Sequence, residues 1–419
     1  MRILIVGGGG REHALAWKLS QEAEVFAAPG NPGISRVAEC LPIRADNFDA
    51  ISVACREKEV GLVVIGPEIP LIEGLADRLR SEGSLVFGPG AEAAQLEGSK
   101  SFSKAMMSKA GVPTAAYRSF TDANEAIAFA LDLHERGCGI VVKASGPALG
   151  KGAIVTSSLE EAMDAINRCL VAREFGDASS CIVLEERMHG SEFSLFTICS
   201  ESGFCSLPAA QDYKRAFDED EGPNTGGMGS YSPVDWVTSE LVHEAEKQVV
   251  APILKQVADE GIVFRGLLYS GLMRVDGKLK CIEYNVRFGD PETQSVVCRL
   301  GCGLADALLA AANGEPVPPV EALDNAAVSV VIASAGYPGS VETGHLITQE
   351  PVEEGIHIFH AGTKLVDGEL LTAGGRVAAI TATDANLTLA RDKAYRNING
   401  IRFEGARWRT DIGAPTKTF

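Results

Sequence analysis

The first fifteen residues, MRILIVGGGGREHAL, place the apolar run Ile3 to Val6 directly before four consecutive glycines. A short apolar strand that ends in glycines and leads into a helix-forming stretch is typical of a parallel α/β sheet. The alternation continues, with strands predicted at 2–6, 24–28, 62–65 and 85–87 and helices near 11–20, 47–58, 71–81 and 91–97. Because strands that alternate with helices form parallel sheets, we predict a Rossmann-like, doubly wound sheet in this region.

The glycine turn does not carry the dinucleotide fingerprint, which needs G-x-G-x-x-G and an acidic residue about 20 positions further on. In one frame the third position is Glu12, in the next it is His13, and no acidic residue ends the second strand. NAD binding is therefore not expected. Two interpretations stay open: a helix N-terminus that offers free N–H groups and Arg11 to an anion, or a tight turn without a ligand.

Composition excludes several classes of function. The 419 residues are 46% hydrophobic, without an unbroken apolar stretch near the ~18 residues of a membrane helix, so we expect several globular domains and no membrane partner. The net charge of −18 opposes binding to nucleic acid. The segment before the glycines is too short for a signal peptide, and ten cysteines without a C-x-x-C pair suit a reducing compartment. We therefore expect a cytoplasmic protein.

The pattern along the chain divides it into three parts. The Rossmann-like unit covers 1–103, and a second α/β unit covers 104–320. The segment 315–325 (EPVPPVEALDN) is typical of a linker, and 326–419 contains mostly β-type segments. Within the second unit we expect a long polar loop at 209–233 and a helix at 238–260.

A second glycine-rich stretch, SGPALGKGA, is similar to a Walker A loop but departs from it. Ser145 stands where the first glycine should be, a glycine follows Lys151 in place of Ser or Thr, and the next segment is a strand. The loop therefore joins two strands. We interpret it as a flap over phosphates, with Lys143 at the end of the preceding strand and Lys151 in the loop.

The segment CIEYNVRFGDPE carries the strongest chemical signal. Alternate residues of a strand share a face, so Glu283, Asn285 and Arg287 should point one way. Two oxygen ligands beside a guanidinium suit Mg²⁺ that bridges nucleotide phosphates. The alternative is a solvated strand face with a Glu–Arg pair.

The expected loop at 209–233, AAQDYKRAFDEDEGPNTGGMGSYSP, combines paired charges with glycines. Asp212 and Lys214 supply charge, and Gly226 would let the backbone approach a ligand closely. A loop this long is uncommon unless it is functional or disordered. The acidic run at 218–221 is interpreted as a solvated surface.

Taken together, GGGGREHAL, APGNPG, GPEIPL, GSKSFSKAMM, QDYKR, GPNTGGMGSYSP, NVRFGDPETQ, GYPG, FHAGT and GGRV resemble the phosphoribosylamine–glycine ligase (glycinamide ribonucleotide synthetase) family over essentially the whole chain. The resemblance implies an ATP-grasp fold: an N-terminal Rossmann-like domain, an ATP-grasp domain with a small lid at about 120–190, and a small, mostly-β C-terminal domain. It also implies a reaction, in which ATP, glycine and 5-phosphoribosylamine give glycinamide ribonucleotide, ADP and phosphate in purine biosynthesis. The chain ends soon after the ligase-like region, so no fused second enzyme is expected.

The resemblance also implies roles for particular residues. ATP would be bound by Lys104, Lys143, Lys151, Glu185, Glu186, Arg187 and Glu192. Mg²⁺ or Mn²⁺ would be held by Glu283 and Asn285. The two small substrates would face Gly9, Arg11, Glu12, Gly66, Pro67, Glu68, Asp212, Lys214, Gly226, Arg287 and Glu292. The catalytic residues would be Lys143, Asp212, Lys214, Arg287 and Glu292.

The sequence departs from the family pattern at several positions. Ser145 and Pro147 replace the usual Asp and Leu, Tyr213 replaces His, Glu219 stands where Gly is frequent, and Trp408 stands where Tyr is usual. Two other interpretations therefore stay open. One is an ATP-grasp ligase for a different acid or amine, and the other is a nucleotide-binding protein that has lost its activity.

Overall fold

The computed structural model describes residues 1–148 and 152–414. Its N-terminal part is a parallel sheet in the order β3-β2-β1-β4-β5, with helices between the strands. The elements are β1 Arg2–Gly7, α1 Gly10–Leu19, β2 Glu24–Pro29, β3 Glu39–Cys40, α2 Phe48–Glu57, β4 Leu62–Ile65, α3 Glu68–Ile72, α4 Leu75–Ser81, β5 Val86–Phe87 and α5 Gln95–Gly98. The predicted Rossmann-like sheet is confirmed.

The strand order reverses between β1 and β4. Ligands of open parallel sheets bind outside the carboxyl ends of the strands at such a reversal. The glycine turn follows β1, and the Gly66-Pro67-Glu68 turn follows β4, so the fold brings these two turns together at one edge of the sheet.

The lid is a small antiparallel sheet in the order β6-β9-β7-β8, and α7 and α8 pack on it. Its elements and the helix before them are α6 Lys100–Ala110, β6 Tyr117–Phe120, α7 Ala123–Glu135, β7 Ile140–Ala144, β8 Ala153–Val155, α8 Leu159–Leu170 and β9 Ile182–Glu186. The glycine-rich stretch joins β7 to β8, as the sequence predicted, although Leu149 to Lys151 lie outside the described residues.

The central part is an antiparallel sheet in the order β11-β10-β16-β17. The elements of this stretch are β10 Ser191–Ser200, β11 Gly203–Ser206, β12 Gln211–Asp212, β13 Arg215–Phe217, β14 Glu221–Asn224, β15 Gly229–Ser232, α9 Ser239–Ala245, a π-helical turn Glu246–Val250, α10 Ala251–Asp259, β16 Gly266–Val275, β17 Lys278–Asn285, α11 Glu292–Val297 and α12 Leu304–Asn313. The predicted helix at 238–260 is confirmed as the continuous stretch from α9 to α10.

The C-terminal part is a mostly antiparallel β-structure with one long helix. Its elements are β18 Ala326–Ala333, β19 Thr348–Gln349, β20 Ile356–His360, β21 Thr363–Val366, β22 Glu369–Thr372, β23 Arg376–Asp384, α13 Leu387–Arg396 and β24 Ile401–Arg402. Short 3₁₀ turns lie at Ile34–Arg36, Gly176–Ser179, Asp218–Asp220 and Ile398–Gly400.

The expectation of a long loop at 209–233 is wrong. β12 and β15 join the C-terminal sheet in the order β12-β15-β18-β23-β20, and β13 pairs with β14. The side chain of Arg409 ties this segment down: it donates to the carbonyl of Arg215 at 3.0 Å and to Asp220 at 2.8 Å. Tyr213 lies under the Arg409 guanidinium, 4.8 Å from ring centroid to Cζ. The sequence pattern did not show these strands because each is only two to four residues long and because β15 pairs with β18, which lies far away in the chain.

Polar caps set the starts of several helices and explain where the sequence pattern was accurate. The side chains of Asn47, Asp122, Ser158 and Thr238 each accept a backbone N–H in the first turn of the helix that follows. The predicted helix at 71–81 is instead interrupted at Gly74, whose φ of +88° is left-handed. The predicted helix at 91–97 is reduced to α5. In the described part of the chain, no helix is both long and apolar enough to cross a bilayer.

A buried hydrogen-bonded cluster joins the N-terminal sheet to the C-terminal sheet. His13 Nδ1 accepts the backbone N–H of His360 at 2.7 Å. The amide of Asn31 donates to the carbonyls of Gly8 and His360, both at 2.9 Å, and its oxygen accepts the N–H groups of residues 33 and 34. Burial, with the nearby charge of Arg36, lowers the pKa of His13 to about 3 and that of His360 to about 4. The contact therefore requires neutral histidines.

This cluster should make the fold sensitive to acid. Between pH 6.5 and about 4 the unfolded chain binds protons that folded His13 and His360 do not, so stability falls as the pH falls, by about 1.4 kcal/mol per histidine and pH unit. We expect His13→Asn, which keeps an acceptor but cannot titrate, to flatten this slope in denaturant unfolding measured at several pH values. The exposed His134→Gln should keep the wild-type slope. An unchanged slope in His13→Asn would contradict the prediction.

Candidate active site

A cleft lies between the N-terminal sheet, the lid and the central strand β17. Most of the predicted site residues line it: Glu68, Lys104, Lys143, Glu185, Asp212, Lys214, Gly226, Glu283, Asn285, Arg287 and Glu292. Lys151 lies outside the described part of the chain. Two further predicted residues, Arg11 and Glu192, contact the lining residues Asp290 and Lys214 without lining the cleft themselves. The other predicted residues that do not line it are Gly9, Glu12, Gly66, Pro67, Glu186 and Arg187.

On the lid side, Glu185 lies between two buried lysines. Its carboxylate is 2.9 Å from the Lys143 ammonium and 3.3 Å from that of Lys104, which also donates to Thr114 at 2.6 Å. Burial opposes the charged form of Lys143, but Glu185 and Glu283 outweigh it and raise the pKa of Lys143. For Lys104 burial dominates and lowers the pKa. The Glu185 carboxylate thus balances one of the two lysine charges. The group of Glu185, Lys104 and Lys143 keeps a net positive charge that can attract an anion.

Lys100 is a site residue that sequence reasoning missed. It lines the cleft one helical turn before Lys104 on α6, and none of the described residues forms an ion pair with it. Burial lowers the pKa of Lys100, while the nearby Glu283 acts in the opposite direction. The i, i+4 spacing of two lysines on one helix was the available signal, because such residues share a face.

Ser145 is hydrogen-bonded to the start of α6. Its hydroxyl accepts the backbone N–H of Ser101 at 3.1 Å, and its carbonyl accepts that of Lys100 at 2.8 Å. The buried Ser145 therefore fixes the end of β7 to the first turn of α6. Pro147 follows it at the margin of the cleft. Compared with the Asp that the family resemblance leads us to expect, Ser145 keeps a hydrogen-bond acceptor at the start of α6 but carries no charge.

The strand face predicted from CIEYNVRFGDPE is confirmed. Glu283, Asn285 and Arg287 line the cleft, while Val286 and Phe288 are buried in the core; Tyr284 is also buried, although it belongs to the cleft lining. Gly271 pairs with Glu283 across β16 and β17, which leaves the carboxylate uncrowded.

Arg287 is held by two carboxylates from the N-terminal part. Its Nη2 donates to Glu97 at 2.6 Å, and its Nε lies 3.6 Å from Glu68. Glu97 also accepts the backbone N–H of Val286 at 2.8 Å. Burial opposes the charge of Arg287, but Glu97 and Glu68 outweigh it and raise the pKa of the guanidinium. Glu97 was missed because only the fold brings it to β17.

Acidic groups surround Lys214 at another wall of the cleft. Its ammonium is 2.8 Å from Glu192 and 3.2 Å from Asp212. Burial raises the pKa of Asp212 to about 7, against the opposing effect of Lys214. Ser194 donates to Glu292 at 3.3 Å. This wall can therefore hold a substrate ammonium, and its charge changes near neutral pH.

The first glycine turn does not present free backbone amides where the sequence suggested them. The N–H of Gly9 donates to Glu12 at 2.7 Å, and the N–H of Arg11 donates to Asp290 at 3.2 Å. The Arg11 guanidinium is 2.6 Å from Glu12 and donates to the carbonyl of Phe288 at 3.0 Å. A Cβ on Gly66 would lie 2.1 Å from Glu12, so the two turns share this carboxylate. The expectation of open N–H groups is wrong at Gly9 and Arg11.

Glu186 and Arg187, at the end of β9, lie away from the cleft wall. Glu186 pairs with Lys280 at 3.1 Å and accepts the N–H of Ala116 at the same distance. Arg187 is exposed, and its backbone N–H donates to Gly139 at 2.8 Å.

A helix and a small antiparallel lid bring lysines over a Glu–Asn strand, which is the arrangement that the resemblance to ATP-grasp ligases implies. Three consecutive stretches match family descriptions: the phosphoribosylglycinamide synthetase N domain at 1–97, its ATP-grasp (A) domain at 98–293 and its C domain at 327–415. The chain therefore belongs to the phosphoribosylglycinamide synthetase family.

Known relatives match this chain over nearly all of its length. Proteins named phosphoribosylamine–glycine ligase from Rhizobium meliloti and Pseudomonas aeruginosa are each 44% identical and match over 99% of this chain and 98% and 97% of their own. The crystal structure of phosphoribosylamine–glycine ligase from Thermotoga maritima has 35% identity and a TM-score of 0.85, over 98% of this chain and 100% of that one. A chicken protein named trifunctional purine biosynthetic protein adenosine-3 is 42% identical over 98% of this chain and 42% of its own length.

A more distant structure shares the fold alone. Biotin carboxylase from Campylobacter jejuni, crystallised as a β,γ-ATP complex, is 14% identical with a TM-score of 0.74, over 97% of this chain and 92% of that one.

The Glu97–Arg287 pair should carry stability that a surface pair does not. Glu97→Ala leaves the Arg287 charge with Glu68 alone and the Val286 N–H without its acceptor, so we expect a loss of about 3 kcal/mol in unfolding free energy. The matched control is Glu260→Ala, whose partner Lys109 is at a similar 2.7 Å but on the surface. That variant should lose less than about 1 kcal/mol in denaturant unfolding. Equal losses would contradict the assignment of a buried pair.

Proposed function

We propose that this protein joins glycine to 5-phosphoribosylamine at the expense of ATP and releases glycinamide ribonucleotide, ADP and phosphate. One observation carries the proposal: the Glu283 carboxylate faces the positive charges of Lys143, Lys214, Lys100 and Arg287, and none of the described residues forms an ion pair or hydrogen bond with it. Those cations outweigh the effect of burial and lower the pKa of Glu283, so the carboxylate is ionised. A charged ligand group beside these four cations suits phosphoryl transfer.

The reaction proposed has two steps. A glycine carboxylate oxygen attacks the terminal phosphorus of ATP, ADP leaves, and glycyl phosphate forms. The amine of phosphoribosylamine then attacks the carbonyl carbon, phosphate leaves, and the nitrogen loses a proton. The carboxylate alone is a poor electrophile, and the acyl phosphate supplies a good leaving group. Catalysis of this kind is mainly positioning and charge neutralisation, which suits a cleft of Lys, Arg and carboxylate groups.

Glu283 and Asn285 would hold Mg²⁺ or Mn²⁺, and the observed side chains fit that role. Glu283 has no partner among the described residues, and the Asn285 amide oxygen, on the same strand face, makes only a 3.4 Å contact with Arg287. Carboxylate and amide oxygens are hard ligands of the kind these ions take. The ion supplies neutralisation of phosphate charge when it is bound. In the described part of the chain, no cluster of three or more His, Cys, Asp or Glu side chains offers another metal site.

The remaining roles are proposed from the family resemblance, with position in the cleft as support where the residue lines it. Lys104, Lys143 and the newly identified Lys100 would neutralise the phosphates of ATP, and Lys151 would join them from the loop. Glu185 would orient the two lysines that it contacts. Glu186, Arg187 and Glu192 remain proposed contacts of the nucleoside.

The small substrates would lie at the opposite walls. Asp212, Glu292 and Lys214 would receive glycine, with Arg287 beside the transferring phosphate. The turns that contain Gly9 to Glu12 and Gly66 to Glu68 would face the sugar phosphate. The amides of Gly9 and Arg11 are already paired, so these two groups are not free to bind that phosphate. The division into 1–103, 104–320 and 326–419 and the cytoplasmic location stay predictions.

Glycine-dependent release of ADP tests the function. Purified protein is incubated with ATP and Mg²⁺, and phosphoribosylamine is generated in the same vessel because it is short-lived. ADP release that requires glycine and phosphoribosylamine together supports the proposal. Release with another amino acid or amine but not with this pair would assign a different ATP-grasp ligase, and nucleotide binding without release under any pair would assign a binding protein.

The metal assignment makes a separate prediction. Glu283→Gln keeps the size of the side chain and removes its charge, so the Mg²⁺ concentration for half-maximal ADP release should rise about tenfold or more. Protection of the fold by ADP with Mg²⁺ in thermal unfolding should weaken in parallel. The exposed Glu342→Gln is the control and should behave as wild type. An unchanged Mg²⁺ requirement in Glu283→Gln would remove this residue from the metal site.

A further inference from the structure

We propose that Tyr337 and Arg376, from the C-terminal part of the chain, act as positioning residues that hold Gly226 in the active site. We call these two side chains the Gly226 clamp. The functional consequence rests on the proposed ligase activity, whereas the contact itself can be tested without it.

The clamp occupies both polar groups of the Gly226 backbone. The N–H of Gly226 donates to the Tyr337 hydroxyl at 2.9 Å. Arg376 Nη1 donates to the carbonyl of Gly226 at 2.7 Å and to that of Asp290 at 2.8 Å. Since Gly226 lines the cleft, two side chains from outside the ATP-grasp region fix the backbone of the proposed substrate site.

On its other side, the same segment is tied to Lys214. The N–H and the hydroxyl of Thr225 both donate to the carbonyl of Lys214, at 2.8 and 2.9 Å, and the Thr225 hydroxyl accepts the N–H of Gly227 at 2.9 Å. Gly226 is thus held between the clamp and Lys214, the lysine that pairs with Glu192 and Asp212 in the cleft. A shift of the clamp would be transmitted to Lys214 through these short contacts.

The clamp packs so closely on Gly226 that little room is left for a side chain at this position. A Cβ on Gly226 would lie 3.1 Å from Arg376 Cζ and 3.3 Å from the Tyr337 hydroxyl. A Cβ on Gly375 would lie 2.3 Å from the Tyr337 ring, so the ring packs directly on the backbone beside Arg376. The sequence segments GYPG and GGRV, which gave no site residue, thereby acquire a role.

Arg376 also reaches the first glycine turn through Asp290. Its guanidinium is 3.2 Å from one carboxylate oxygen of Asp290, and the other oxygen accepts the N–H of Arg11. Burial opposes the charge of Arg376, but Asp290 outweighs it and raises the pKa of the guanidinium. The clamp therefore contacts backbone beside both sites proposed for the small substrates, that of glycine and that of phosphoribosylamine. In the described part of the chain it makes no contact with Lys104 or Lys143.

The test compares Tyr337→Phe, which keeps the ring and removes the hydroxyl, and Arg376→Gln with Arg376→Lys as the conservative variant. The controls are Arg396→Gln and Arg402→Gln, two C-terminal side chains whose partners, the carboxylate of Glu353 and the carbonyl of Asn399, belong to the same part of the chain. Hydrogen–deuterium exchange of the peptide that contains Gly226 reports the contact directly. Steady-state kinetics report its effect on each substrate.

We expect amide exchange at Gly226 to accelerate in Tyr337→Phe but not in the controls. The KM for glycine or phosphoribosylamine should rise about tenfold in Tyr337→Phe and Arg376→Gln, as expected for one lost hydrogen bond, with less change in Arg376→Lys. The KM for ATP should stay within about twofold, because the substitutions remove no contact of Lys104 or Lys143.

Control-like exchange in Tyr337→Phe would overturn the clamp, and so would an equal rise of all three KM values. If the wild-type protein shows no glycine-dependent ADP release, the proposed function fails, and the exchange measurement still decides whether the clamp exists.

Discussion

The carboxylate of Asp290 joins the three parts of the chain around the cleft. It follows β17 of the central sheet, accepts the N–H of Arg11 from the N-terminal part, and pairs with Arg376 from the C-terminal part. These cations lower the pKa of Asp290 against the effect of burial, so the link is ionic over the neutral pH range. Truncation of one partner in such a buried network costs more than the pair itself contributes, because an uncompensated charge remains. The relative position of the cleft walls depends on this residue.

Local charge explains how a chain with a net charge of −18 can serve anionic substrates. Acidic side chains outnumber basic ones even in the cleft lining, but Lys100, Lys104, Lys143 and Arg287 supply positive charge within it. Glu185 and Glu97 offset part of that charge and, by short contacts, hold the cations in place. A low-dielectric wall strengthens the attraction of the remaining positive charge for phosphate. The surface charge then opposes nonspecific binding of polyanions without weakening the site.

Local patterns were enough for most of the fold and for the strand face that carries Glu283 and Asn285. Strands β1, β2 and β4 were predicted almost to the residue because apolar runs between glycines and polar caps are local signals. The Glu283, Asn285 and Arg287 face followed from the period of two in a strand. The chemistry of particular residues came from the family resemblance, which no spacing alone supplied.

Long-range pairing explains what the sequence did not show. Glu97 meets Arg287 and Asp290 meets Arg11 only after folding, so neither pair leaves a local signal. The strands within 209–233 were missed because they are short and because β15 pairs with β18 of the C-terminal sheet. The Gly9 and Arg11 amides resembled an open anion site, yet carboxylates of the chain itself accept them. The sheet in which β12 pairs with β15 and β15 pairs with β18 also has a consequence for synthesis on the ribosome. The edge of β15 emerges before β16, β17 and α12, and it stays unpaired until β18 has been translated. At roughly 5–20 residues per second, that edge remains open for several seconds, during which a nascent chain is vulnerable to strand addition from a neighbour.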